Sequence, residues 1–227
     1  MRILFLHHFP LEEPPIGPWV ERSAQVLLAA GHDVRALVVD QRRSAGDRIR
    51  VRRVVCSGVE TAADLPFELP RFGGSTPVAG GLTFVGLSTD QIVAYRDALR
   101  RHLDAEVDAF DPHVIHAQHI WIGGQLALET GVPYVLNAWG PELDDCAADP
   151  RYRRWVDQAA ENAGQILVHE GALLEQVVAT FELEPGAASV MVSDLHSAAA
   201  AGSREADNRA AAQLLATYER VRSGRCA

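Results

Sequence analysis

The sequence contains no lysine, so its 21 basic residues are all arginine. Schiff-base chemistry, which needs a lysine amine, is therefore excluded. The replacement itself reads as a base-composition bias of the genome. Cysteine is scarce: Cys56, Cys146 and Cys226 are odd in number and far apart, which points to a reducing, cytoplasmic setting rather than a disulfide framework. No apolar run reaches the ~20 residues of a membrane span, and Met1–Leu6 has the length of a strand, too short for a signal peptide. No basic amphipathic stretch suits attachment to anionic lipid. Thirty acidic residues leave a net charge of −9, which argues against a nucleic-acid surface.

What the chain does have is apolar content, 48% of its residues, ample for a packed core. Arg2–Leu6 and Val34–Val39 are short apolar runs of the kind buried on both faces of a parallel sheet. Between them lie a loop, 7–18, and a helix predicted from about Trp19 to Ala30, stopped by Gly31. Arg50–Val55 reads as a third strand with arginines alternating outward. The stretch 57–87 is rich in Gly, Pro, Ser and Thr and reads as a long functional loop or partly mobile lid. Ser88 and Gln91 form a capping box that starts a helix to about Phe110. Strands follow at His113–Ala117, Tyr134–Ala138, Ile166–Val168 and Ser189–Val192. The helices between them are Ile122–Glu129, the stretch from Asp149-Pro150 to Ala163, and Ala172–Phe181. Such alternation implies an α/β fold built on a single Rossmann-like, doubly wound parallel sheet.

The alternation stops at Val192–His196. After Ala198–Ser203 one last helix, roughly Arg204–Arg222, sets Ala211, Leu214, Leu215, Tyr218 and Val221 on one stripe. That stripe needs a partner surface, on this domain or on another chain. The expected division is a sheet domain over 1–195, a short Ala/Gly/Ser linker over 196–203 and a C-terminal amphipathic helix over 204–227.

In order and spacing, several segments resemble the N-terminal domain of glycosyltransferase family 4 enzymes of the GT-B fold. They are Arg2–Phe9 with Gly17-Pro18-Trp19-Val20-Glu21-Arg22, then Ala29–Val34, Asp111–His119, Gly131–Val135, Trp139–Leu143 and Ala163–His169. The ordered set carries the resemblance, over about residues 1–195, and residues 208–224 resemble the family's C-terminal helix, which crosses back onto the N-terminal domain. The resemblance implies that this domain holds the acceptor, while a C-terminal domain with a Glu-x7-Glu pair binds the nucleotide-sugar. Glu13/Glu21 and Glu60/Glu68 have that spacing but lie outside any donor-domain context and read as coincidence. The donor domain is missing between residue 195 and the final helix, so the break reads as an internal excision. No cofactor is expected on the protein itself, and a nucleotide-sugar donor only with a partner domain.

Ligands of open α/β sheets bind beyond the carboxyl ends of the strands. That rule selects His7, His8, Gly17, His116, His119, Trp139, Glu142, His169 and Glu170, with Trp121 and Gly140 alongside. The loop around Gly17 would aim amides at an anion or sugar hydroxyl. His116 and His119, with Trp121 just beyond, read either as a wall for a sugar or cyclitol, or as rings satisfied by loop carbonyls. Trp139-Gly140-Pro141-Glu142 stands where many family members have His-Gly-x-Asp or His-Gly-x-Glu. Trp139 offers a stacking face or fills core; Glu142 serves as a base or caps the next turn. His169 and Glu170 follow the next strand, at an edge that the donor would face. His7, His8, His116 and His119 do not follow a zinc pattern, so no metal is expected. Cys146 has no positioned histidine to activate it.

Three functions fit. The first is the acceptor half of a retaining glycosyltransferase, using Glu142 and His119 and completed by a donor-domain protein or by a second copy in a homodimer. It would pass a hexosyl group to a soluble small molecule, a sugar, cyclitol or other secondary metabolite, with no nucleic acid and no membrane involved. The second is a non-catalytic pseudo-glycosyltransferase that binds or scaffolds. The third is a small enzyme of another class that reuses the crevice.

Overall fold

A computed structural model of the chain describes residues 1–43, 46–58, 63–73, 81–190 and 204–224. The elements run β1 (Arg2–His7), α1 (Ile16–Ala29), β2 (Asp33–Asp40), β3 (Arg50–Val55), α2 (Thr89–Phe110), β4 (Val114–Gln118), α3 (Ile122–Glu129), β5 (Tyr134–Asn137), α4 (Pro141–Ala148), α5 (Pro150–Glu161), β6 (Gln165–Val168), α6 (Gly171–Phe181), β7 (Ala188–Val190) and α7 (Arg204–Arg222). The strands form one seven-stranded sheet in the order β3-β2-β1-β4-β5-β6-β7, and each neighbouring pair is parallel. This is the doubly wound α/β architecture that the sequence predicts.

Alternate residues of each strand feed two separate cores. Leu4, Leu6, Ile115, Ala117 and Leu136 face α2, α3, α5 and α6. Ile3, Phe5, Val114, Val135 and Leu167 face α1 and α7. This division explains the terminal helix. Among the described residues, α2 to α6 share one face and α1 covers the start of the other, where α7 lies over the apolar side chains of β4 to β6. Ala210, Leu214 and Tyr218 pack there, each fully buried large side chain contributing ~1.5–3 kcal/mol. The stripe therefore docks on this domain. Arg22 of α1 pairs with Asp207 in the first turn of α7 at 2.8 Å. Gly164 lets the helix approach, since a Cβ there would stand 2.3 Å from Val221 Cγ1.

Several expectations need correction. Helix α1 begins at Ile16, three residues early, because Pro18 sits in its first turn, where no amide is required. Arg53 does not alternate outward: it is buried and paired to Asp40 at 3.0 Å and Asp47 at 2.6 Å. Glu142 lies in a helix of its own, α4, with Pro141 in its first turn. The described part of 57–87 holds no helix or named strand, and its Leu65, Phe67, Leu69, Phe84 and Leu87 are buried in the larger core. The expected strand end at Met191–Val192, the linker 196–203 and Cys226 lie outside the described residues.

Candidate functional site

The strand order reverses beside β1, so the chain diverges at the carboxyl ends of β1 and β4. There His7, His8 and His119 meet. His119 follows the last residue of β4 with φ +72°, a left-handed conformation that costs an L-residue ~1–2 kcal/mol. Its ring Nδ1 lies 3.1 Å from Glu142 Oε2, both side chains being 1% exposed or less. The second oxygen of Glu142 accepts the Trp139 amide at 2.8 Å. Gly140, at φ +108° the N-cap of α4, makes the turn that brings Glu142 inward.

Burial opposes ionisation of Glu142. The imidazole of His119, its hydrogen bond, and the amides of Trp139 and Glu142 outweigh burial and hold the carboxyl below its usual range. A carboxylate only accepts, so Nδ1 of His119 carries the proton and, in the neutral ring, Nε2 keeps its lone pair. That Nε2 has no partner among the described residues. The arrangement is that of an imidazole held in one tautomer by a carboxylate, with the geometry to accept a proton at Nε2.

Aromatic rings enclose it. His7 stacks on His119 with centroids 6.0 Å apart and planes at 13°. Phe9 meets His119 edge-on at 5.7 Å, and Phe72 lies over it at 4.6 Å. Phe72 comes from the stretch read as loop, and the Gly73 amide behind it is held by both oxygens of Asp145 on α4 at 3.1 Å. Both ring nitrogens of the fully buried His7 are without partner among the described residues. Burial, then the neighbouring His119 and His8, hold its pKa well below that of a free imidazole.

The other candidates fall elsewhere. His8 accepts the Gly123 amide on Nε2 at 3.2 Å, so its Nδ1–H donates to Tyr95 Oη at 2.8 Å, and the ring is fully satisfied. His116 points to the opposite side of the sheet, bonded to Tyr218 and Asn137, and burial lowers its pKa to about 4. Trp121 is in the core, stacked on Tyr152 at 4.3 Å. Gly17 presents no free amide, because its N–H donates to the Glu13 carbonyl at 2.9 Å. A Cβ on Gly17 would stand 2.4 Å from the Leu11 carbonyl oxygen, so glycine there serves packing. Trp139 and His169 form a second, half-buried aromatic pair at 4.0 Å, flanked by Trp19. Glu170 is exposed at the start of α6. Cys146 is buried, which raises its thiol pKa. Among the described residues no three His, Cys, Asp or Glu side chains are placed to hold a metal ion, and no helix is long and apolar enough to cross a membrane.

Residues 16–192 match the model of the glycosyl transferase 4-like domain. The chain belongs to this family. No curated protein matches it in sequence. Among solved structures, a chain of sucrose-phosphate synthase from Thermosynechococcus elongatus designated by the spans 27–220 and 406–426 superposes with a TM-score of 0.57 at 14% identity, covering 97% of this chain and 98% of that one. The longer chain of the same synthase gives 0.58 at 12% identity, covering 85% of this chain and 48% of that one. UDP-GlcNAc 2-epimerase from Neisseria meningitidis, bound to UDP-GlcNAc, gives 0.54 at 9% identity, covering 96% of this chain and 54% of that one. At these identities the likeness is one of fold. This glycosyltransferase 4-like chain spans about half of the longer synthase and of the epimerase, and its described residues hold one Rossmann-like sheet of the GT-B type.

Proposed function

We propose that this domain binds the acceptor of a hexosyl transfer and that a partner domain, on another protein or a second copy, supplies the nucleotide-sugar. The observation that carries the reading is the His119–Glu142 pair at the switch point of the sheet. An acceptor hydroxyl donating to His119 Nε2 would be oriented for attack on the anomeric carbon. As the new carbon–oxygen bond forms, the bond to the nucleotide diphosphate breaks, and the hydroxyl proton leaves toward His119 or the departing phosphate. Glu142 acts as the positioning residue, fixing the tautomer and stabilising an imidazolium. Family membership supports retention of anomeric configuration and a small, polar acceptor such as a sugar or cyclitol.

The test is transfer from UDP-glucose. The isolated chain should neither transfer sugar nor bind UDP-glucose in calorimetry. With the donor-domain partner present, transfer should appear, and His119→Ala should lower it by ~10²–10⁴-fold. Unaided transfer, or tight UDP-glucose binding by this chain alone, would sink the divided-enzyme reading. The enclosure of the pair beneath Phe72 favours a second reading, a binding domain without chemistry. Acceptor binding that survives in a reconstituted complex with no His119-dependent transfer would select it.

A further inference from the structure

We infer that the molecule recognised at His7 and His119 offers them uncharged hydroxyls or an amine, not a phosphate or carboxylate. The inference rests on the acceptor reading above and narrows its substrate class.

Five of the donors near the strand-end loops that could meet an anion are committed to other groups. Gly17 N–H is taken by the Glu13 carbonyl, Gly123 N–H by His8 and Trp139 N–H by Glu142. Arg71 pairs with Glu13, and Arg42 pairs with Glu12 and Asp40. Besides the buried Gln118 Nε2 and Trp121 Nε1, what is left over among the described residues here is imidazole. Both nitrogens of His7 and Nε2 of His119 lack partners in buried, stacked rings. Buried polar groups in this condition call for a partner, since leaving them bare costs free energy.

A neutral His7 has one N–H and one lone pair, and His119, with its Nδ1–H given to Glu142, adds a second lone pair. A hydroxyl can donate to one lone pair and accept from the single N–H. An ammonium can donate to both lone pairs and gains from the Glu142 charge behind His119. With both rings neutral, a phosphate or carboxylate would set its oxygens against two lone pairs and against Glu142, with one N–H of these two rings in compensation. Phe72, a partly exposed ring over His119, marks the way in.

The experiment follows the ring-nitrogen resonances of His7 and His119 in ¹⁵N-labelled protein. Glucose, glucosamine, glucose 6-phosphate and inorganic phosphate are added in turn, so that charge varies on one skeleton. Glucose and glucosamine should move both rings, phosphate and glucose 6-phosphate neither, and His7→Phe should weaken glucosamine binding at least tenfold. Glucose 6-phosphate binding tenfold tighter than glucose at these rings would overturn the inference and leave the acceptor reading standing. So would sugars that move only His169 and the Trp139 indole. No sugar binding anywhere on the chain would overturn both. The wild-type spectra decide the matter even where His7→Phe fails to fold.

Discussion

The Tyr218 hydroxyl donates to His116 Nδ1 at 2.7 Å and so ties the middle of α7 to β4 through the buried layer between them. The direction of that bond follows from the next ones. Asn137 gives its Nδ2–H to Gln118 Oε1 at 3.1 Å, so its Oδ1 accepts the Nε2–H of His116 at 3.0 Å. His116 is then an acceptor at Nδ1, and Tyr218 is its donor. A histidine that reads in sequence either as part of a sugar wall or as a ring satisfied by loop carbonyls thus anchors the terminal helix.

Removing the hydroxyl should therefore destabilise the domain. Tyr218→Phe keeps the ring packed but leaves Nδ1 bare, at a cost of ~1–3 kcal/mol in urea unfolding. The double variant Tyr218→Phe with His116→Phe removes the unmet acceptor and should recover part of that loss if the larger ring is accommodated. A single variant as stable as the wild type would mean that the bond contributes nothing.

The same histidine should make stability depend on pH. His116 has a folded pKa of about 4 and an unfolded value of ~6.5. Between these values the unfolded chain binds more protons, so stability rises with pH. His7 and His8, also lowered by burial, act in the same direction. The folded state should thus weaken as pH falls below ~6.5, with His116 alone accounting for about 3 kcal/mol by pH 4. Glu142, held below its usual range, adds a further loss at the acid end, below the unfolded carboxylate value. Urea midpoints measured from pH 7 to 4.5 should show the decline, and His116→Phe should flatten it. A flat profile in the wild type would contradict the buried, neutral state of these rings.

Much of this was legible in the sequence because parallel strands and their crossover helices announce themselves locally. Apolar runs such as Val34–Val39 and the capping box at Ser88 and Gln91 depend on nearby residues. The face of His116 depends on alternation along β4: Val114 belongs to one core and Ile115 to the other. Its partner, Tyr218, is a hydroxyl on an otherwise apolar stripe, a signal that such a stripe makes available. Phe72 had no comparable signal. Its position over His119 depends on Gly73 reaching Asp145, a contact across 72 residues that no local pattern encodes. The strand-end rule selects Glu142, while its bond to His119 depends on the turn at Gly140.

Gly164 gives a direct test of how closely α7 packs. Gly164→Ala puts a methyl against Val221, a β-branched side chain with little rotamer freedom. The expected cost is ~1–3 kcal/mol, seen as faster amide exchange along α7 than in β1. Val221→Ala in the same chain should restore protection. If exchange in α7 were unchanged by Gly164→Ala, the helix would not be seated as closely as described.

Glu142 is tested most sharply by glutamine. The carboxylate accepts from two donors at once, the buried His119 Nδ1–H through one oxygen and the part-buried Trp139 amide through the other. Glutamine keeps the size and offers one acceptor oxygen, so its amide nitrogen must face one of those donors. Glu142→Gln should therefore cost ~1–3 kcal/mol despite being nearly isosteric. It should also release His119 from its single tautomer, visible as altered ring ¹⁵N shifts. If Glu142→Gln kept wild-type stability and the Nδ1–H form of His119, Glu142 would be a cap for α4 only, and the orienting role proposed for it would fall.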